Sequence, residues 1–167
     1  MPIEAEAGSL SANSYVTEEE ADDYFLDRAH SSAWTDSLDK EPLLITASRM
    51  IDWQLKFTGN KTSDIQAMQF PRTGVVLSDG YEVPVDIIPQ EVKFAVFELA
   101  LSFIASDRTA DSALSGIEQV KAGPLFVKAV PGGYGDTSPK VIPDYIRKML
   151  SEYIMSGSIG VVWLQRA

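Results

Sequence analysis

The sequence predicts a mainly α protein: a small helical bundle around a central apolar helix, with a short two-stranded β arm and an extended C-terminal tail. Three observations carry that expectation. The run from Pro89 to Ser106, PQEVKFAVFELALSFIAS, is apolar around nearly its whole circumference at about 100° per residue, as suits a helix enclosed by others. Segments before and after it repeat apolar residues at helical spacing. Residues 117–130 alternate on both sides of Gly123-Pro124, the pattern of two paired strands.

A chain of 167 residues is one domain by the usual prior and buries roughly 70% of its unfolded surface. It divides into an N-terminal arm (1–12), a helical domain (13–156) with the two-stranded arm at about 115–131, and an apolar tail (157–167). There is no cysteine, which removes disulfides, thiolate metal sites and thiol nucleophiles. The first residues, MPIEAEAGSL, lack the basic-then-apolar order of a signal peptide, so a cytoplasmic origin is expected. The formal charge of −10 is unevenly spread: residues 1–41 hold eleven acids against two bases, and the rest thirteen against twelve. No basic stripe of the kind that neutralises phosphates stands out. The acids read first as a solvated face that aids solubility.

Residues 1–12 are small and polar, an arm expected to be ordered only by a partner. Thr17 and Glu20 then form a capping box, with Val16 and Ala21 as its staple and Glu18, Glu19, Glu20, Asp22 and Asp23 favoured by the helix dipole. Ala21, Tyr24, Phe25 and Arg28 share a face, so this helix should run to about Ala29. Adjacent acids point in different directions, which argues against a metal site. Residues 30–40 read as a Ser/Asp-rich connection carrying Trp34 and Leu38; His30, the single histidine, has no nucleophile motif around it.

A second helix starts at Asp39 or Glu41 with Pro42 in its first turn, and Gly59 ends it after Phe57. Leu43, Leu44, Ala47, Met50, Ile51 and Leu55 form its stripe. Ile45 and Trp53 lie off it, facing either loops of this chain or an adjacent subunit. Residues 60–88 look irregular, with one or two helical turns at 62–68, a turn at Phe70-Pro71-Arg72-Thr73-Gly74 and a small hairpin around Asp79-Gly80 limited by Pro84. Arg72 reads as an exposed anchor for carbonyls or a carboxylate.

The central helix begins at Pro89. Its apolar run of about fourteen residues is too short to span a membrane, and its polar line, Glu91 and Glu98, should meet water or a neighbour. Pro131-Gly132-Gly133-Tyr134-Gly135-Asp136 lacks the Lys-Ser/Thr of a P-loop and the strand–helix context of a dinucleotide fingerprint. A last helix, about Pro143 to Met155, puts Ile146, Met149, Leu150, Tyr153 and Ile154 on one stripe. The tail beyond Gly157 is so apolar that it requires a packing place on this domain or a partner.

Several of these runs together resemble phage head–tail connector proteins, the adaptor or head-completion proteins, some of them catalogued as DnaT-like single-stranded-DNA-binding proteins. The matching runs are Asn13-Ser14-Tyr15-Val16-Thr17, Glu20-Ala21-Asp22, Tyr24-Phe25 with Arg28 and Trp34, Ile51-Asp52, Phe57-Thr58-Gly59-Asn60-Lys61 and Phe70-Pro71-Arg72-Thr73-Gly74. Ile88-Pro89-Gln90-Glu91-Val92, Glu98-Leu99-Ala100-Leu101 and Val120-Lys121-Ala122-Gly123-Pro124-Leu125 complete the series. Phe70 and the run Gln119–Pro124 are near matches, Trp and Glu-Lys-Val-Gly-Pro being frequent in the family. The resemblance covers residues 13–130.

It implies an adaptor ring, commonly twelve-fold, that docks on the capsid portal in the virion neck after assembly in the host cytoplasm. The ring would extend the DNA tunnel and receive a stopper or tail-terminator protein. Its partners would be the portal, copies of itself and passing double-stranded DNA, with no membrane, no cofactor, no metal and no catalytic residue. On this reading Val161, Val162, Trp163, Leu164, Trp53 and Phe126 are candidate portal or subunit contacts. Glu18, Glu19, Asp22 and Asp23 are candidate tunnel-facing acids. The alternative is a single-stranded-DNA-binding accessory of replication, which needs aromatic platforms (Trp34, Trp53, Tyr81 and Tyr134) beside a basic groove.

Overall fold

A computed structural model describes residues 2–106, 119–122, 125–128 and 141–155. Among these residues there are five helices: α1 (Glu18–Leu26), α2 (Ser32–Thr35), α3 (Lys40–Gln54), α4 (Gln90–Ala105) and α5 (Asp144–Met149). Two short antiparallel pairs accompany them. β1 (Asn60–Lys61) lies beside β2 (Arg72–Thr73), and β3 (Gln119–Ala122) pairs with β4 (Leu125–Lys128) in the register Gln119↔Lys128 to Ala122↔Leu125. The mainly helical class and the two-stranded pairing match what the sequence pattern predicts. Phe126 sits in β4; Val161, Val162, Trp163, Leu164, Tyr134 and the Gly132-Gly133 run lie outside the described residues.

α4 is the spine. Val92, Ala95, Val96, Phe97, Leu99 and Ala100 are buried, and the helix packs on α3, α5 and α2. Its mean hydropathy is the reason: an element with so few polar positions is stable only where apolar neighbours surround it. α1 begins as its code demands: the Thr17 hydroxyl accepts from the Glu20 N–H at 3.2 Å, and the Thr17 N–H donates to the Glu20 carboxylate at 3.0 Å. α1 stops at Leu26, three residues short of the expected Ala29, and α3 stops at Gln54. Asp39 and Pro89 occupy the N-cap positions of α3 and α4 without a side-chain capping bond, so Pro89 precedes α4 rather than being its first residue.

Three expectations are corrected, and one left open is decided, by packing that no single helix reveals. The segment 2–12 lies against its own domain: the Glu4 N–H donates to Asn13 Oδ1 at 2.9 Å, the Asn13 amide donates to the Pro2 carbonyl at 3.0 Å, and the Ala67 N–H donates to the Ser9 carbonyl at 3.1 Å. Trp34, expected in a loop, lies in α2 and is 1% exposed, its ring 4.7 Å from that of Phe25. Ile45 is buried within the chain, so it needs no neighbouring subunit. Residues 62–68 form no helix; Gln66 is buried there and ties the loop, accepting from the Ser63 N–H and donating to the carbonyls of Met68 and Pro71.

The hairpin at 75–83 is present in reduced form, with one bridge, Val76↔Glu82, and bonds from Val83 N–H to the Val75 carbonyl and Leu77 N–H to the Tyr81 carbonyl. α5 is shorter than expected, and the chain continues as turns to Ile154, which bridges Phe57.

Candidate functional site

An open groove of about 570 Å³ runs between α1 and the first half of α4. Its floor is aromatic. The Tyr24 ring stacks on Phe97 at 4.9 Å between centroids and lies 5.2 Å from Phe94. Glu20 and Tyr24, four apart, share one face of α1, and Phe94 and Phe97, three apart, share the face of α4 that packs against it.

Two cations and three carboxylates border this floor. Arg28 donates from Nε to Glu98 Oε1 at 2.6 Å and from Nη2 to Oε2 at 2.9 Å. Tyr24 donates its hydroxyl to Glu98 Oε1 at 2.8 Å, and Tyr145 reaches Oε2 at 3.4 Å. Burial pushes the Glu98 carboxyl up, but the Arg28 and Tyr24 hydrogen bonds outweigh it and hold the group below its ordinary value. The same pairing raises Arg28, while burial and the Glu98 bond push Tyr24 up to about 12. Lys93 donates to Glu20 Oε1 at 2.5 Å. Both cations of the groove are therefore already engaged by carboxylates of the same chain. Glu98 was expected to face water or a neighbour; its side chain is instead 9% exposed and ion-paired. A lone acid inside so apolar a helix requires a cation, and Arg28 was the signal on the α1 side.

Two buried polar knots lie elsewhere. Tyr15 donates its hydroxyl to Asp52 Oδ1, while the Gln69 N–H donates to Oδ2 at 3.0 Å and to the Tyr15 oxygen at 3.1 Å. Burial is the main cause of an Asp52 carboxyl raised to about 6, and burial followed by the Asp52 charge raises Tyr15 well above its usual value. The second knot is Arg72. Its guanidinium donates to the carbonyls of Thr58 (2.7 Å), Gly59 (2.7 Å), Gln69 (3.1 Å) and Phe57 (3.4 Å) and to Gln69 Oε1 (2.9 Å). The sequence reading had Arg72 anchoring carbonyls, but exposed; it is buried.

The acids proposed from sequence are split in their surroundings. Asp22 accepts from Lys40 Nζ at 2.7 Å and from the Trp34 indole at 2.8 Å; burial raises its pKa less than these two bonds lower it. Glu18 lies 3.9 Å from Lys40, and Glu19 and Asp23 are exposed. Trp53 is 72% exposed, whereas Trp34 is core, so only one of the two can serve as a surface platform. His30 is exposed. Among the described residues no group of three or more His, Asp or Glu is placed to hold a metal ion, and no helix is long and apolar enough to cross a membrane.

The fold and groove define a small, mainly helical protein whose described surface includes a charge-paired aromatic groove. Over residues 1–167 the chain matches the model of one family, described as "Putative DnaT-like ssDNA binding protein", and it belongs to that family. No curated protein and no solved structure matches it.

Proposed function

We propose that this protein is a structural adaptor of the phage head–tail connector, a subunit that docks on the portal and neighbouring copies and passes double-stranded DNA without gripping it. The observation that carries the reading is electrostatic. In the described groove with an aromatic floor, Arg28 and Lys93 are spent on Glu98 and Glu20, within a chain of net charge −10. A wall of this kind repels phosphate, as suits a surface past which DNA must slide. Exposed Glu19 and Asp23 extend the same character, and exposed Trp53 offers an apolar contact for a portal or subunit. On this reading the protein is not an enzyme and works in the virion neck, where it also receives a stopper or tail-terminator protein.

The family description favours a second reading, binding of single-stranded DNA. That role requires unpaired cations beside stacking surfaces, because phosphate neutralisation supplies most of the affinity. Exposed Tyr81 and Trp53 supply rings, and Arg49 and Lys56 stand one helical turn and three residues from Trp53.

The test is a pair of measurements on the purified full chain. The connector reading expects ring-shaped particles by negative-stain electron microscopy when portal is added, and no shift of a labelled single-stranded oligonucleotide at physiological salt. Removing residues 158–167 should abolish ring formation and leave a folded monomer. Tight, salt-dependent oligonucleotide binding together with absence of any portal complex would replace the first reading by the second.

A further inference from the structure

The α1/α4 groove leaves two carboxylates unused: among the described residues neither Asp23 nor Asp27 has an ion pair, and both are exposed at its border. The described chain ends at Met155, whose N–H donates to the Lys56 carbonyl at 2.7 Å, and a side chain just before that end reaches α4. Tyr153 donates its hydroxyl to Glu91 at 2.8 Å, in the same first turn of α4 that contributes Gln90 and Lys93 to the groove. Only two further residues are described after Tyr153.

We infer that residues 156–167, SGSIGVVWLQRA, dock in this groove, with the Trp163 and Leu164 side chains on the Tyr24–Phe94–Phe97 floor and Arg166 against Asp23 and Asp27. The chemistry matches on both sides. The segment carries one base and no acid, and five of its twelve residues are Ile, Val, Trp or Leu. The groove offers stacked rings and two carboxylates that lack a cation. Twelve extended residues span about 40 Å, ample for a groove that borders the turn touched by Tyr153. The open shape suits a peptide segment better than an enclosed small molecule. This inference does not rest on the connector reading; a docked tail covers the groove floor and pairs Asp23, so on that reading exposed Glu19, not the groove itself, would be the α1 acid left facing DNA.

The chain has no cysteine, so introduced pairs report only themselves. Asp27→Cys combined with Leu164→Cys should form a disulfide under mild oxidation at least tenfold faster than Asp64→Cys combined with Leu164→Cys; Asp64 is exposed on a loop outside the groove lining. A product of monomer mass means the tail folds back on its own chain, and one of dimer mass means it straps a neighbouring copy; both support the inference. Equal rates for the two pairs overturn it. So does protection of the residue 27 thiol by a single-stranded oligonucleotide with no cross-link to residue 164, which would assign the groove to nucleic acid. As a second readout, chymotryptic cleavage at Trp163 should rise about tenfold in Asp23→Lys/Asp27→Lys with unchanged helical circular dichroism. Cleavage of the wild-type tail at the rate of the free peptide counts against docking.

Discussion

Arg28 and Glu98 stand seventy positions apart in the chain and meet as a two-pronged ion pair, Nε to Oε1 at 2.6 Å and Nη2 to Oε2 at 2.9 Å. Because the Glu98 side chain is nearly enclosed while Arg28 is 30% exposed, the acid suffers when the pair is broken. Arg28→Met should lower unfolding free energy by about 2 kcal/mol, less than a fully buried pair would lose because solvent screens the arginine end. Adding Glu98→Gln to it should recover part of that loss, since the orphaned charge is gone. Urea titrations of the two variants check this.

Glu98 also sets a pH dependence. Its folded pKa is held below the unfolded value, so its stabilisation is complete above about pH 4.3 and is lost as pH falls through the lower folded value. Thermal midpoints between pH 5 and 3 should fall for the wild type and fall less for Glu98→Gln.

Asp52 works in the opposite sense. Its folded pKa, about 6, lies above the unfolded value near 4, so the folded state binds the extra proton and stability decreases as pH rises from about 4 to about 6. The decrease should be about 2 kcal/mol. Asp52→Asn should flatten the profile in that window whatever its absolute stability, because the side chain no longer titrates. A wild-type profile already flat between pH 4 and 6 would show that the carboxyl is not raised.

Trp34 and Trp53 should separate cleanly. Trp34→Ala removes a ring that is 1% exposed, packs on Phe25 and donates to Asp22, and should cost at least about 3 kcal/mol. Trp53→Ala removes an exposed ring and should change stability by less than about 0.5 kcal/mol. On the connector reading it should still weaken portal or subunit association. Chemical denaturation separates the two variants, and sedimentation with portal reads the second effect.

Legibility in the sequence followed the range of the physics. The capping box at Thr17 and Glu20 and the buried girth of α4 are local codes, and both are present as read. The stripe of α3 is readable too, but the pattern leaves Ile45 open between this chain and an adjacent subunit, because a helical wheel ignores what a loop or second helix brings to the far side; burial within the chain decides it. Glu98 was misread for the same reason: its partner comes from beyond the end of α1. The order of 2–12 depends on Asn13 and on the loop bearing Ala67, contacts that periodicity does not encode. The groove was not found, though Tyr24 and Arg28 had been placed on one face; what was missing was the register of that face against Phe94 and Phe97.

Arg72 carries a consequence for how this protein can change. Residues 57–74 contain only a two-residue ladder, and the loop is held from inside by one guanidinium that gathers four carbonyls, with Gly59 at φ 68° so close that a Cβ would lie 2.4 Å from the Thr73 carbonyl oxygen. Main-chain oxygens are the same whatever side chains they belong to. Asn60, Asp64 and Ile65, which are exposed, are thereby relieved of holding the loop's shape with their side chains. With buried Gln66, which ties the same loop, the arrangement concentrates vulnerability in a few inner positions and leaves the outer face open to rewriting, a surface that can follow a changing partner while the chain beneath it keeps its course.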